Sequence, residues 1–120
     1  MSSKPADGQG YALVAHVRTH EESAYLKYVQ EVYFPALAQM EGFVALRLLR
    51  WSPSSDPVNK MIGQVTEFLR ISTWRSKDDA QAYFDHPVRA TFSELRDLAM
   101  VLAYGGAEVL LDLTRTNGVD

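Results

Sequence analysis

Cysteine is absent from this chain of 120 residues. Its absence excludes a disulfide framework, a thiolate nucleophile and any cysteine-held zinc or iron–sulfur centre, and it suits a reducing compartment, so a cytoplasmic location is expected. An excess of positive charge is also missing. The formal net charge is −3 and the basic residues are scattered singly, so no electrostatic footprint for nucleic acid or an anionic membrane is present. Long apolar runs are lacking as well: stretches such as LAMVLAYGGA are too short to span a bilayer, and the opening MSSKPADGQG has no apolar segment of the kind an export signal needs. The sequence contains no glycine-rich phosphate loop, no HExxH and no Gly-x-Ser-x-Gly elbow, and its three histidines are scattered, which speaks against a metal site.

What remains is a chain with 47% hydrophobic residues, enough for one modest core. Domains of this size often gain stability by oligomerising, so a homodimer is expected. Residues 1–10 lack periodicity and read as a leader, residues 11–114 as one domain, and residues 115–120 as a frayed tail. Tyr11 to Arg18 alternates as a strand, with Leu13, Ala15 and Val17 on one side and Val14, His16 and Arg18 on the other. From Glu21 the pattern becomes helical, with Tyr25, Val29, Val32, Ala36 and Met40 in phase, until Pro35 forces a kink or reset and Gly42 ends the helix.

Phe43 to Trp51 is the second strand. Residues 52–63, with Pro53 and Pro57, form a connection longer than a tight hairpin needs. Gln64 to Trp74 is the third strand, and Ser76 with Asp79 makes a capping box for the next helix. That helix is reset at His86 and Pro87, where His86 is explained by chain geometry. It is expected to continue through Val88, Phe92, Leu95, Ala99 and Leu102 to a stop at Gly105 and Gly106, with Ala107 to Leu113 as the last strand. The order strand, helix, strand, strand, helix, strand is an α+β, ferredoxin-like βαββαβ sandwich with both helices on one face of the sheet.

Alternation assigns Val44, Leu46, Leu48, Val65, Leu69, Ile71, Val109, Leu111 and Leu113 to the helix-covered face with Leu13, Ala15 and Val17. The uncovered face then carries His16, Phe43, Ala45, Arg47, Leu49, Trp51, Phe68, Arg70, Trp74, Glu108 and Asp112. This second set holds too many large apolar groups for a solvated surface and too many ionisable ones for an ordinary core, as a small-molecule cavity does. His16 is the candidate base, being mid-strand with an ordinary pKa near ~6.5. Arg47 and Arg70 are candidate anion holders, with pairing to Glu108 or Asp112 across the dimer, or simple exposure near the sheet ends, as the structural alternatives.

MEGFVALRLL and the third strand's end in Trp followed by SKDDAQAYFDHP resemble the dimeric α/β-barrel superfamily, and within it antibiotic-biosynthesis-monooxygenase-type proteins, over roughly residues 11–113. The resemblance implies dimerisation through the sheets into an α/β barrel. It also implies, for some members, oxygenation of polycyclic phenols without metal or flavin in a pocket between sheet and helices, to which Trp74 would contribute a wall. Phe68 and Tyr83 are candidate ligand contacts, and the expected ligand is a small aromatic or hydrophobic molecule. The haem-degrading relatives fit less well: no Asn lies in Tyr11 to Arg18, Tyr83 stands where their helical Trp is expected, and Ser93 where their His follows. The functional expectation is a cofactor-independent monooxygenase-like enzyme for an aromatic or polyketide-like molecule. The alternatives are a cyclase or isomerase of similar substrates, or a non-catalytic ligand-binding dimer.

Overall fold

The computed structural model describes residues 10–51 and 66–113; the leader up to residue 9, the 52–63 connection and the 115–120 tail lie outside the described residues. β1 (Tyr11–Thr19), β2 (Phe43–Arg50), β3 (Thr66–Trp74) and β4 (Met100–Glu108) form one antiparallel sheet in the order β2-β3-β1-β4. Between β1 and β2 the chain forms α1 (Glu22–Tyr28), a π-helical turn (Val29–Tyr33) and α2 (Phe34–Ala38). Between β3 and β4 it forms α3 (Lys77–Phe84), a 3₁₀ turn (Pro87–Thr91) and α4 (Ser93–Leu98). This is the ferredoxin-like arrangement expected, with the helices on one side of the sheet.

The reset at Pro35 takes a definite form. Proline has no N–H to give and its ring crowds the carbonyl four residues earlier. The chain answers by widening the preceding turn, so that the Phe34 N–H donates to the Val29 carbonyl five residues back. A wider turn moves the buried stripe from the expected Val32 and Ala36 to Tyr33 and Leu37: Tyr33 is 4% exposed and Val32 43%. The expected α-helical phase therefore holds up to Val29 and is overturned beyond it.

The assignment of faces is corrected on β3. Phe68, Ser72 and Trp74 are buried beneath the helices with Arg70 beside them, while Leu69 and Ile71 face the other way with His16 and Leu49. Apolar count favoured Leu69 and Ile71 inside, but size complementarity decides otherwise. The inward residues of β1 are small where those of β3 are large: Ala15 lies opposite Arg70, and Val17 opposite Phe68. On β2 a bulge between Phe43 and Ala45 turns Phe43 toward the core, edge-on to Trp74 at 5.5 Å, and leaves Val44 exposed.

β4 departs furthest from expectation. The helix ends at Leu98, Ala99 is already extended, and Met100 to Glu108 pairs along β1, so the expected strand Ala107 to Leu113 is displaced toward the N-terminus. The apolar run across residues 98–104 reads equally as helix or strand by periodicity, and pairing with an otherwise empty edge of β1 settles it. Gly105 and Gly106 lie within the strand rather than at a helix stop. The Tyr11 ring lies across the space a Cβ on Gly106 would take and would have to move aside for one.

Short polar contacts fix the joins between elements. Thr19, 1% exposed, donates from Oγ1 to the Leu98 carbonyl at 2.6 Å and accepts from the Glu21 N–H at 2.9 Å. Ser76 caps α3 as expected, accepting from the Asp79 N–H at 3.1 Å. Gly42, with φ +85°, carries its carbonyl to the Arg75 N–H at 2.7 Å, and a Cβ there would collide with the Asp79 side chain. Gly42→Ala therefore combines left-handed strain with a clash against the helix cap. It is expected to lower unfolding stability by about 1–3 kcal/mol, measured by urea denaturation with an unchanged m-value.

Candidate functional site

β3 delivers a guanidinium into the layer between sheet and helices. Arg70 Nη1 donates to the Tyr25 hydroxyl at 2.8 Å, and the guanidinium carbon lies 5.1 Å from the centre of the Tyr33 ring. The Tyr33 hydroxyl in turn shares a hydrogen bond of 3.1 Å with that of Tyr83. Tyr33 reaches this place because the π turn rotates it inward, and Tyr83 because the Ser76 cap sets the phase of α3. Trp74 stacks behind Tyr83 at 5.2 Å and is anchored by its indole N–H, which donates to Ser72 Oγ at 2.9 Å.

Arg70, Tyr33 and Tyr83 line a cavity of about 270 Å³ together with Arg89, Arg96, Tyr104 and apolar side chains. Burial pushes the phenol pKa values of Tyr25, Tyr33, Tyr83 and Tyr104 above the ordinary tyrosine value, so their hydroxyls stay protonated. Burial also opposes the charge of Arg70, but the surrounding tyrosine oxygens outweigh it and the group stays cationic. Among the described residues, no carboxylate or imidazole lines the cavity. The site is therefore a set of donors and cations without a strong acceptor.

A second, larger cavity of about 700 Å³ lies toward β2, lined by Leu26, Val29, Phe34, Leu46, Leu48 and Phe68. Its charge at the rim is already matched: Arg50 donates to both oxygens of Glu22, at 3.0 and 2.6 Å, and Thr66 donates to the same carboxylate at 2.8 Å. Those bonds hold the Glu22 pKa below the ordinary carboxylate value. This cavity offers apolar volume and the smaller one offers chemistry.

The structure separates the residues expected to act together. Arg70 and Tyr83 line the smaller cavity, Phe68 lines the larger one, and Trp74 is fully buried as the support of Tyr83. His16 and Arg47 lie on the opposite face of the sheet. There His16 Nε2 is 2.7 Å from Glu67 Oε1, Arg18 donates to Glu67 Oε2 at 3.0 and 3.1 Å, and the Trp51 ring is 5.6 Å from His16. Burial raises the Glu67 pKa, but the hydrogen bonds from His16 and Arg18 outweigh it and leave the carboxyl below its ordinary value. Within the described residues neither Glu108 nor Asp112 pairs with an arginine. His86 caps the 3₁₀ turn, its Nδ1 accepting from the Val88 N–H at 3.0 Å, as chain geometry required. Tyr33, Arg89, Arg96 and Tyr104 were not singled out from sequence, and Tyr25 was read there only as part of the helix's buried stripe. The available signal was Pro35, whose effect on helix phase points to Tyr33.

The tyrosine shell makes a pH response predictable. A phenol whose pKa is raised on folding keeps its proton where the unfolded chain has lost it. Its contribution to stability is therefore complete below the unfolded value of about 10 and falls as pH rises beyond that. Denaturation midpoints are expected to decline above about pH 10, and Tyr33→Phe to flatten that decline.

Neither a protein-family model nor a curated protein matches the sequence. Solved structures do match in fold. HapK from Hahella chejuensis aligns with TM-score 0.66 and 14% identity over 88% of this chain and 98% of its own. NE2512 from Nitrosomonas europaea, a protein of unknown function, aligns with TM-score 0.64 and 14% identity over 92% and 98%. SnoaB from Streptomyces nogalater, a cofactor-independent oxygenase, aligns with TM-score 0.59 and 17% identity over 92% and 98%. The fold expected from the resemblance to antibiotic-biosynthesis-monooxygenase-type proteins is thus the fold of this chain. No helix among the described residues is long and apolar enough to cross a membrane.

Proposed function

We propose that the chain is a cytoplasmic, cofactor-independent monooxygenase-like enzyme that holds an aromatic or polyketide-like molecule between its sheet and helices and works as a homodimer. The observation that carries this reading is Arg70, a guanidinium set under the helices and surrounded by protonated tyrosine hydroxyls beside an open cavity. Donors fixed in that way stabilise negative charge that develops on a bound phenolate or enolate. An electron-rich ring so held can reduce dioxygen itself: a ring CH₂ and O₂ become a ring carbonyl and water. The shared fold with SnoaB, a cofactor-independent oxygenase, supports the class of chemistry.

In this reading Arg70 and Tyr83 contact the ligand, Phe68 walls the adjoining apolar space, and Trp74 holds Tyr83 in place. His16, expected as the base, is assigned with Arg47 to the open face, where the dimer would form. That face carries Val14, Leu49, Leu69 and Ile71, with Leu49 40% exposed, and among the described residues nothing covers it. An apolar sheet face of this kind is a place for a second copy to bury. The lack of an acceptor in the smaller cavity favours one second reading, a dimer that binds an aromatic ligand without turning it over.

Oxygen consumption with an anthrone or quinol tests the reading directly. Wild-type protein is expected to consume O₂ and yield the ketone or quinone, and Arg70→Gln to lower kcat/KM by about tenfold or more while remaining folded. Ligand binding without turnover would establish the non-catalytic alternative, and a rearranged product without oxygen uptake a cyclase or isomerase. Light scattering coupled to gel filtration is expected to give a dimer mass, reduced to the monomer by Leu69→Glu.

A further inference from the structure

Among the described residues, the ion pairs engage Arg18, Arg50 and Arg75, together with His16. Arg70, Arg89 and Arg96 lie outside that set, and all three line the same cavity of about 270 Å³. Arg89 donates from Nη1 to the Phe84 carbonyl at 3.3 Å and lies 4.7 Å above the Phe84 ring, and Arg96 donates to the Arg89 carbonyl at 3.4 Å. Neutral partners hold these guanidiniums in position but leave their charges uncompensated. Arg70 and Arg89 are half-buried and Arg96 is exposed; three like charges around one small cavity repel each other, most of all where water screens them least.

The donor count leads the same way. The Tyr33 and Tyr83 hydroxyls share one hydrogen bond, so whichever donates, the proton of the other is free for a third acceptor. With Arg70 next to that pair, an acceptor placed in the cavity meets a charged fork and a phenol together. The walls that complete the cavity are flat or apolar: Phe92, Leu95 and Val101.

Resting on the reading of this cavity as a ligand site, we infer that its ligand is an aromatic oxyanion, an aryl carboxylate or an acidic phenol bound as phenolate, which arrives already ionised. Among the described lining residues no group accepts a proton at neutral pH, so the charge is the ligand's own. The guanidiniums select the ionised form over the neutral one. Arg70 and the tyrosine pair hold the oxyanion, while Arg89 and Arg96 attract it from the cavity mouth.

The test is isothermal titration of the full chain with two matched pairs: 2-naphthoate against 2-naphthamide, and 4-nitrophenol against 4-nitroanisole. The charged member is expected to bind about tenfold or more tightly than its neutral partner, with 4-nitrophenol affinity following that phenol's own ionisation as pH is raised. Arg70→Gln is expected to abolish the preference while keeping the affinity for 2-naphthamide. If that variant does not melt cooperatively, Arg96→Gln, at an exposed position, is expected to reduce the preference and its dependence on salt. A preference seen only with naphthoate assigns a carboxylate, and one seen only with nitrophenol a phenolate; either upholds the inference. Equal affinity within each pair overturns the oxyanion site and leaves the ligand cavity standing. Failure of all four probes to bind overturns both.

Discussion

The position of the Arg70 guanidinium beneath the helices is the constraint from which much of the architecture follows. A charge in that layer has to be met by polar groups, and the chain meets it with hydroxyls rather than carboxylates: four of its six tyrosines, Tyr25, Tyr33, Tyr83 and Tyr104, bond to Arg70 or border the same cavity. Each depends on a separate local device. Tyr33 needs the π turn that Pro35 imposes, Tyr83 needs the Ser76 cap and the Trp74 support, and Tyr104 needs β4 to pair with β1. A neutral shell of this kind gives the guanidinium a hydrogen-bond partner in Tyr25 and an aromatic face in Tyr33 without cancelling its charge, which separates it from an ordinary buried ion pair.

The same placement accounts for the other face of the sheet. Because β3 turns Phe68, Arg70, Ser72 and Trp74 inward, Leu69 and Ile71 must point outward, beside Val14 and Leu49. A polar group inside and aliphatic groups outside belong together as consequences of one strand orientation. His16, Glu67, Arg18 and Trp51 form a polar and aromatic cluster on this outer face, so the histidine that is chemically most attractive in the sequence is separated from the cavity by the thickness of the sheet.

Much of the fold was legible from residue order. The alternation in Tyr11 to Arg18, the cap at Ser76 and the reset at Pro87 depend on local physics, and they hold in the structure. The site was legible in part. Arg70, Tyr83, Phe68 and Trp74 were identifiable as residue types suited to a pocket, but their grouping with His16 and Arg47 rested on the face of β3, which apolar counting places backwards. Ile71 and Leu69 are more apolar than Arg70 and Ser72, and no local rule states that the larger aromatic neighbours Phe68 and Trp74 will take precedence.

By itself, the sequence determined the order of strands and helices, the caps, the breaks at proline and the exclusion of cysteine chemistry, because each depends on residues close together in the chain. Tertiary structure alone decided which face of β3 is covered, that residues 100–108 form an edge strand rather than a helix, and that the tyrosines converge on Arg70. The physical reason is that these outcomes turn on contacts between segments far apart in sequence. Side-chain volumes across the β1–β3 pair and an unfilled strand edge outweighed the local preferences of the residues involved.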